Sequence, residues 1–196
     1  MNAPLPDVTA HMADYSRRLQ SALNAFEWDR VRPLAEAVRE CWANRRQVFL
    51  CGNGGSAANA IHLANDFIYG IAKGNGAGLR AIALPANSAV VTCLANDVGY
   101  DRIFSAQLEV QGNEGDILIL LSGSGNSPNI LKAIEQARTM KIRTYAILGY
   151  SGGAAKTMAD TAIHFPVDDM QISEDLQLMV GHMIMQWLTM NPLQRA

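Results

Sequence analysis

Short, almost wholly apolar runs alternate along this chain with longer stretches in which apolar residues recur every three or four positions. Residues 48–51 and 116–121 are two such runs, and their composition is typical of strands in a parallel sheet that is buried on both faces. Together with the helical spacing between the runs, this pattern predicts an α/β fold with a mostly parallel sheet. The predicted strands lie near residues 47–51, 79–84, 116–121, 143–148 and 161–165. The predicted helices between and after them lie near residues 56–69, 88–95, 101–111 and 128–140, just after Gly153, and from about Ile172 onward.

Helical spacing also marks both ends of the chain. In the first 46 residues two apolar stripes are present, Met12, Tyr15, Leu19 and Leu23, then Val31, Leu34, Val38 and Trp42. We therefore expect residues 1–46 to form helices that pack on the sheet domain, residues 47–196, and on a subunit interface. The last helix is apolar on too many sides for one wet face, which favours burial between subunits; a central core helix of a monomer is the alternative. The glycine-rich stretch 74–78 is expected to be a connection within one domain.

Two polar, glycine-rich loops, residues 52–56 and 122–127, each follow a predicted strand and open onto a predicted helix. Ser127 has the position of an N-cap and Pro128 that of a first helical residue. The free amides and positive end of such a helix favour a phosphate. Three hydroxyls can donate to its oxygens, those of Ser122, Ser124 and Ser127. The loops therefore predict a phosphate site at the carboxyl edge of the sheet, with simple capping and turning of the chain as the alternative.

Composition narrows the class of protein. The chain has 196 residues, 16 Lys and Arg against 18 Asp and Glu, and three cysteines. The balanced charge does not favour nucleic acid or a membrane surface as a partner, and Arg45 and Arg46 fall at a predicted helix end where a solvated face explains them. No apolar run approaches the ~18 residues of a membrane span, and no signal peptide is evident. An odd number of unpaired cysteines favours a cytoplasmic location.

Candidate acid, base and metal-binding residues lie on two predicted helices. His62 and Asp66 stand four residues apart on the helix after the first loop, and Glu174 and His182 stand eight apart on the last helix. If the helices meet, these groups predict a general acid/base pair or a zinc site, either of which suits an aldose–ketose isomerisation. Separate structural roles for the four residues are the alternative. Asp97, in a turn-forming cluster, could accept from sugar hydroxyls or cap a helix.

Five motifs carry a family resemblance: residues 51–57, 96–100, 115–118, 122–129 and 149–153. With them the chain resembles the sugar isomerase (SIS) domain family, in its phosphoheptose isomerase branch. The resemblance implies a single SIS domain with a three-layer, doubly wound, flavodoxin-like sheet of five strands, and a homotetramer with active sites between subunits. It implies conversion of sedoheptulose 7-phosphate to D-glycero-D-manno-heptose 7-phosphate for heptose biosynthesis.

The resemblance also assigns site residues. Asp66 and His182 are the implied catalytic pair. The implied substrate-binding residues are Asn53, Gly54, Ser56, Asp97, Ser122, Ser124, Ser127 and Glu174. The metal set, if zinc is bound, is His62, Asp66, Glu174 and His182. Against the family pattern, Asp66 replaces a glutamate, Gly70 an arginine, Gly123 a threonine, and Glu174, Asp175 and Gln177 stand where the last helix has glutamine, glutamate and histidine.

Other functions are compatible with parts of the sequence. A non-catalytic SIS protein that senses a phosphosugar or binds a partner would account for the altered last helix, and an isomerase of another phosphosugar would keep the loops. A dinucleotide-dependent dehydrogenase rests on Gly52, Gly54 and Ala57 alone. Its ribose-binding acid is absent from the end of the next strand, where Pro85 follows, so no nucleotide cofactor is expected.

Overall fold

The computed structural model describes residue 5 and residues 7–73 and 76–193. Its centre is a five-stranded sheet in the order β2-β1-β3-β4-β5, in which all neighbouring strands are parallel. The strands are β1 (Gln47–Gly52), β2 (Arg80–Ala83), β3 (Ile117–Ser122), β4 (Arg143–Leu148) and β5 (Thr161–His164). The sheet confirms the predicted α/β class and all five predicted strands. Strand β2 ends before the expected residue 84 because Leu84 enters a 3₁₀ turn with Pro85, which has no backbone N–H to donate to a neighbouring strand.

Eight α-helices surround the sheet in the described residues: α1 (Val8–Ala25), α2 (Arg32–Ala43), α3 (Gly55–Asn65), α4 (Ser88–Asp97), α5 (Ser105–Gln111), α6 (Pro128–Thr139), α7 (Ala155–Met158) and α8 (Met170–Met190). Three 3₁₀ turns, Trp28–Val31, Leu84–Ala86 and Tyr100–Arg102, and one π-helical turn, Asp66–Gly70, complete the secondary structure. The expected helix 101–111 is thus divided, and the expected helix 56–69 is α3 followed by the π turn. Helix α8 starts two residues early because the Asp169 side chain caps it at Ile172 N.

The core lies on both faces of the sheet, as near-continuous apolar strands require. Along β1, Val48 and Leu50 face one buried cluster and Phe49 and Cys51 face the other. Helices α2, α3 and α8 cover the first face, and α5 and α6 cover the second. This is the three-layer, doubly wound arrangement that the family resemblance implies.

The helices near the two ends of the chain, α1, α2 and α8, differ in how far they are buried. Helix α2 buries the expected stripe that ends at Trp42, but α1 has no buried residue, and Met12 is 65% exposed. Helix α8 buries one face in the core, as the monomer alternative expects, and leaves Met183 and Met190 exposed on other sides. The subunit interface therefore stays a prediction for α1 and for the exposed side of α8.

The glycine-rich connection before β2 is fastened to the same unit where the structure describes it. Trp42 Nε1 donates to Ala77 O over 2.9 Å, and Leu79 N donates to Phe67 O. Residues 74 and 75 of this connection lie outside the described residues. Among the helices described, none has the length and hydropathy needed to cross a membrane.

Candidate active site

The two polar loops meet at the carboxyl edge of the sheet because β1 and β3 are neighbours. Asn53, after β1, and Asn129, in the first turn of α6, bind each other through both side-chain amides at 2.9 and 2.8 Å. Asn129 is only 1% exposed, and the Tyr100 hydroxyl donates to Asn53 Oδ1 over 3.0 Å. The predicted substrate-binding residue Asn53 therefore fastens the two loops together.

In the serine loop, residues 122–127, the side-chain hydroxyl oxygens accept hydrogen bonds, and the O–H groups are left to donate to a ligand. Ser122 Oγ accepts from Gly125 N over 3.0 Å, and Ser124 Oγ accepts from Asn126 N over 3.3 Å. Ser127 occupies the predicted N-cap position before Pro128, yet its side chain makes no capping hydrogen bond. A hydroxyl has one donor besides its acceptor sites, so all three serines retain an O–H for an anion.

Close packing against a second loop fixes the shape of the serine loop. Gly125 has φ +66°, and a Cβ there would lie 2.0 Å from Gly152 O. Asn126 Oδ1 accepts from Ala154 N over 2.9 Å. At Gly123, where the family pattern has threonine, the Met170 sulfur fills the space in which a side chain would lie. The loop is therefore a rigid cradle rather than a flexible connection.

The first loop opens α3 through a glycine in a conformation that L-residues avoid. Gly54 has φ +55° and ψ −124° at the N-cap of α3, and Ser56 in the first turn is 3% exposed. The Glu174 carboxylate, from α8, lies directly over Gly55, because a Cβ at that glycine would be 2.2 Å from Oε2. The Glu174 side chain therefore lies beside the first turn of α3, next to the loop of residues 52–56.

At the carboxyl end of α3, three of the predicted chemical groups come together. His62 Nε2 and His182 Nε2 are 2.9 Å apart, and each lies 3.4 Å from Asp66 Oδ2. The helices approach closely here because Gly181 has no side chain: a Cβ would stand 2.2 Å from Leu63 Cδ2. The side chain of Asp66 is 14% exposed, whereas those of His62 and His182 are 50% and 40% exposed.

The histidine–aspartate cluster of His62, Asp66 and His182 has the donors of a metal site. Two imidazole nitrogens and one carboxylate oxygen are the ligands of many catalytic zinc centres, with a fourth position left open. Zinc–nitrogen bonds of about 2.0–2.1 Å at tetrahedral angles place neighbouring ligand atoms roughly 3.3 Å apart. The observed separations of 2.9–3.4 Å match that spacing. The donor set therefore fits a divalent ion of this kind.

Glu174 does not complete this set, contrary to the four-ligand prediction. In the described residues the group that could hold a metal consists of His62, Asp66 and His182. Glu174 precedes His182 by eight residues, about 12 Å of helix rise, so the two side chains reach different parts of α3. Its predicted part in substrate binding is a separate matter and stays a prediction.

Asp97 lies at the end of α4, where its carboxylate is exposed. It accepts from Asn96 Nδ2 over 2.8 Å and from Cys93 Sγ over 3.4 Å, and these hydrogen bonds lower its pKa. No hydrogen bond joins it to either loop in the described chain. Helix capping does not explain this residue, because it ends α4 rather than preceding a helix, and its role toward a sugar stays a prediction.

Several site residues were not predicted from the sequence. Asn129 and Tyr100 hold Asn53, and Asn59 Nδ2 donates to Glu174 O and to Gln177 Oε1. Tyr100 and Asn129 lie inside two of the motifs that carry the family resemblance, which was a signal for them. Gly181 carried another, since a glycine inside a helix costs about 1 kcal/mol and points to a close approach.

Comparison with known proteins defines the class. The family model described as SIS domain matches residues 11–149, most of the chain. The fold, the paired loops and this match make the chain an SIS domain protein. The curated phosphoheptose isomerase of Chlorobaculum parvum is 38% identical over 174 residues, which are 88% of this chain and 83% of that protein.

Solved structures agree with the sequence comparison. The phosphoheptose isomerase from Francisella tularensis superposes with a TM-score of 0.86 at 28% identity over 93% of this chain and 96% of that one. The enzyme from Neisseria gonorrhoeae gives 0.83 at 30% identity over 92% and 96%. The chain belongs to the phosphoheptose isomerase branch of the SIS domain family, which confirms the resemblance stated from its motifs.

Proposed function

We propose that this chain converts sedoheptulose 7-phosphate into D-glycero-D-manno-heptose 7-phosphate, an aldose–ketose isomerisation. The observation that carries the proposal is the contact of Asp66 with His62 and His182, at the carboxyl end of the helix that the first polar loop opens. The relatives that support the substrate are named phosphoheptose isomerases. A non-catalytic sensor is not favoured, because these relatives are enzymes.

The phosphate is held by the loops. The free hydroxyls of Ser122, Ser124 and Ser127, with the amides at the start of α6, bind its oxygens without a lysine or arginine. Ser56 and the backbone at Gly54, at the start of α3, contribute further groups that bind the phosphate. From Ser56 to His62 the helix rises ~9 Å, at about 1.5 Å per residue, which leaves an extended sugar chain between the phosphate and the histidine–aspartate cluster.

Asp66 and His182 carry the proton transfers. In an isomerisation through an enediol, a base moves a proton between two neighbouring carbons while an acid serves the oxygen. A carboxylate that only accepts suits the carbon proton, and an imidazole that both donates and accepts suits the oxygen. Asp66 is one methylene shorter than the family's glutamate, yet its Oδ2 already lies 3.4 Å from His182 Nε2.

As the alternative to proton transfer by these atoms, the same cluster would hold a zinc ion through His62, Asp66 and His182, and His182 Nε2 and Asp66 Oδ2 would then act as ligands. Such an ion, when bound, polarises a carbonyl or hydroxyl oxygen as a Lewis acid. The protein's part is to keep both imidazoles and the carboxylate at coordinating distance and to leave the open side toward the sugar. The side chains of His62 and His182 are 50% and 40% exposed, which leaves room for a substrate oxygen beside them.

Assembly and location complete the proposal. A homotetramer would cover the apolar positions that the single chain leaves exposed, such as Met12 on α1 and Met183 on α8, and would place the sites between subunits. The three cysteines are free, two of them buried, which fits the reducing cytoplasm.

The test is an NMR assay of the full chain with sedoheptulose 7-phosphate, run with zinc and with chelator. The wild type should produce the aldoheptose phosphate, and Asp66→Asn and His182→Ala should reduce turnover by at least about 10²-fold while the ketose still binds. Ser124→Ala with Ser127→Ala should instead weaken binding. His11→Ala, which removes an exposed histidine of α1, is the matched control. Binding without turnover in the wild type would refute isomerisation of this substrate and favour a sensor or an isomerase of another phosphosugar.

A further inference from the structure

A cavity of about 640 Å³ opens at the amino edge of the sheet, opposite the candidate active site. Strand β1 has six residues, so the two edges are ~20 Å apart at about 3.3 Å per residue. Four arginines line the cavity: Arg45, Arg46, Arg80 and Arg143. We propose that this arginine basin is a binding site for a second, small ligand that carries two phosphate groups.

The register of the parallel strands brings the four arginines together. The end of helix α2 explains the position of only two of them. Arg45 and Arg46 precede β1, Arg80 begins β2, paired with Gln47, and Arg143 begins β4, paired with Ile117 of β3. Parallel strands start at one edge, so cations from three separate chain segments converge there. A helix C-terminus accounts for the two arginines that follow α2 but not for those that begin strands.

Two of the guanidinium groups are held in place by backbone oxygens. Arg80 Nη1 donates to Arg45 O over 3.2 Å, and Arg46 Nη1 donates to Glu114 O over 3.0 Å. Each guanidinium has five N–H donors, so most donors remain for a ligand. In the described part of the chain, Arg45, Arg46 and Arg80 form no ion pair with a carboxylate.

The acids in the basin are already engaged. Asp116 is 2% exposed, and its two oxygens accept from Gln47 N and Asn113 N, each over 2.8 Å. Glu40 pairs with Arg143 over 2.6 Å. Four arginines against these two carboxylates leave the lining with a net charge of plus two.

This chemistry selects a diphosphate. One guanidinium group binds two phosphate oxygens through two parallel N–H···O hydrogen bonds. The cavity volume of about 640 Å³ lies within the range of small-molecule sites, about 300–1,000 Å³. A nucleic acid would call for an extended basic stripe and a basic protein, whereas the whole chain carries a net charge of −2.

The experiment measures pyrophosphate binding to the full chain by titration calorimetry, with chelator present so that no metal contributes. The wild type should bind two equivalents, one at the serine loop and one in the basin. Arg46→Gln with Arg80→Gln should weaken one site by at least about tenfold and leave the other, which also shows that the variant is folded. Ser124→Ala with Ser127→Ala should remove the other site.

The variant Arg30→Gln controls for the loss of charge alone, because Arg30 is an exposed arginine whose ion pair in the described residues is with Glu27. It should bind as the wild type does. Unchanged binding in the double arginine variant, including a single wild-type equivalent that this variant keeps, would overturn the basin. Binding of a single-stranded oligonucleotide that the arginine variant loses, without pyrophosphate binding, would also overturn it in favour of a macromolecular ligand.

Discussion

The two polar loops, residues 52–56 and 122–127, and the histidine–aspartate cluster are held in different ways. The loops are fixed by their own backbone: Gly125 has a positive φ and touches Gly152, and the Asn53–Asn129 amide pair fastens one loop to the other. The cluster joins side chains 120 residues apart, on the faces of two helices, and nearly half of each imidazole is exposed. One half of the site is set by local chain geometry, and the other by how closely α3 and α8 pack.

This difference predicts two kinds of sensitivity. The loops should tolerate the loss of a single hydroxyl better than the addition of one methyl group to a glycine. The cluster should respond to small changes in helix spacing even where no chemical group is altered. Substitutions at glycine test both halves on equal terms.

The largest effect is expected for Gly125→Ala. A positive φ costs a residue with a side chain about 1–3 kcal/mol, and overpacking against Gly152 O, 2.0 Å away, adds about 1–3 kcal/mol. We expect the free energy of unfolding in urea to fall by about 3–5 kcal/mol and phosphate binding to be lost. Gly76→Ala, with φ +92° and nothing within 4 Å of a Cβ, is the control for strain without a clash. Equal losses in both variants would show that the Gly125 contact does not matter.

Gly181→Ala should act on the histidine–aspartate cluster with a smaller loss of stability. Alanine gains about 1 kcal/mol of helix propensity, but a methyl group 2.2 Å from Leu63 Cδ2 forces the buried helices apart. Overpacking costs about 1–3 kcal/mol, so we expect lower stability and weaker zinc binding, with phosphate binding kept. Thermal unfolding and zinc titration check this. In a Leu63→Ala background the same change should cost less, and a rise in melting temperature of the single variant would contradict the clash.

Asn129→Ala should separate the two loops. It removes both hydrogen bonds to Asn53 and leaves that half-buried amide short of partners, at a cost of about 1–3 kcal/mol. Pyrophosphate affinity at the serine loop should fall, while zinc affinity at the cluster stays unchanged. A double-mutant cycle with Asn53→Ala isolates the pair; an interaction energy near zero would mean that the amides do not couple the loops.

The sequence predicted the two polar loops, whose shape depends on local chain geometry. It predicted the histidine–aspartate cluster only in part, because that cluster depends on the packing of two helices. The positions of the strands, both loops and the Ser127–Pro128 helix start follow from short-range patterns, and the structure has them. The contact of His62 and Asp66 with His182 required that two helices meet, and spacing could state this only as a condition. Glu174 was grouped with the cluster because it shares a helix with His182, although eight residues of rise carry it to the other end of α3.

The smallest effect concerns the start of α8, which α1 contacts. The Tyr15 hydroxyl donates to Asp175 Oδ2 over 2.5 Å, and burial together with this carboxylate raises the pKa of Tyr15 to about 12. Tyr15→Phe should cost about 0.5–1.5 kcal/mol at neutral pH. Because the folded pKa lies above the unfolded value of about 10, this stabilisation is complete below pH 10 and is lost as the pH rises to about 12. Urea unfolding of both proteins from pH 8 upward should therefore show their stabilities converging, and a constant difference would mean that packing rather than the hydroxyl holds α1.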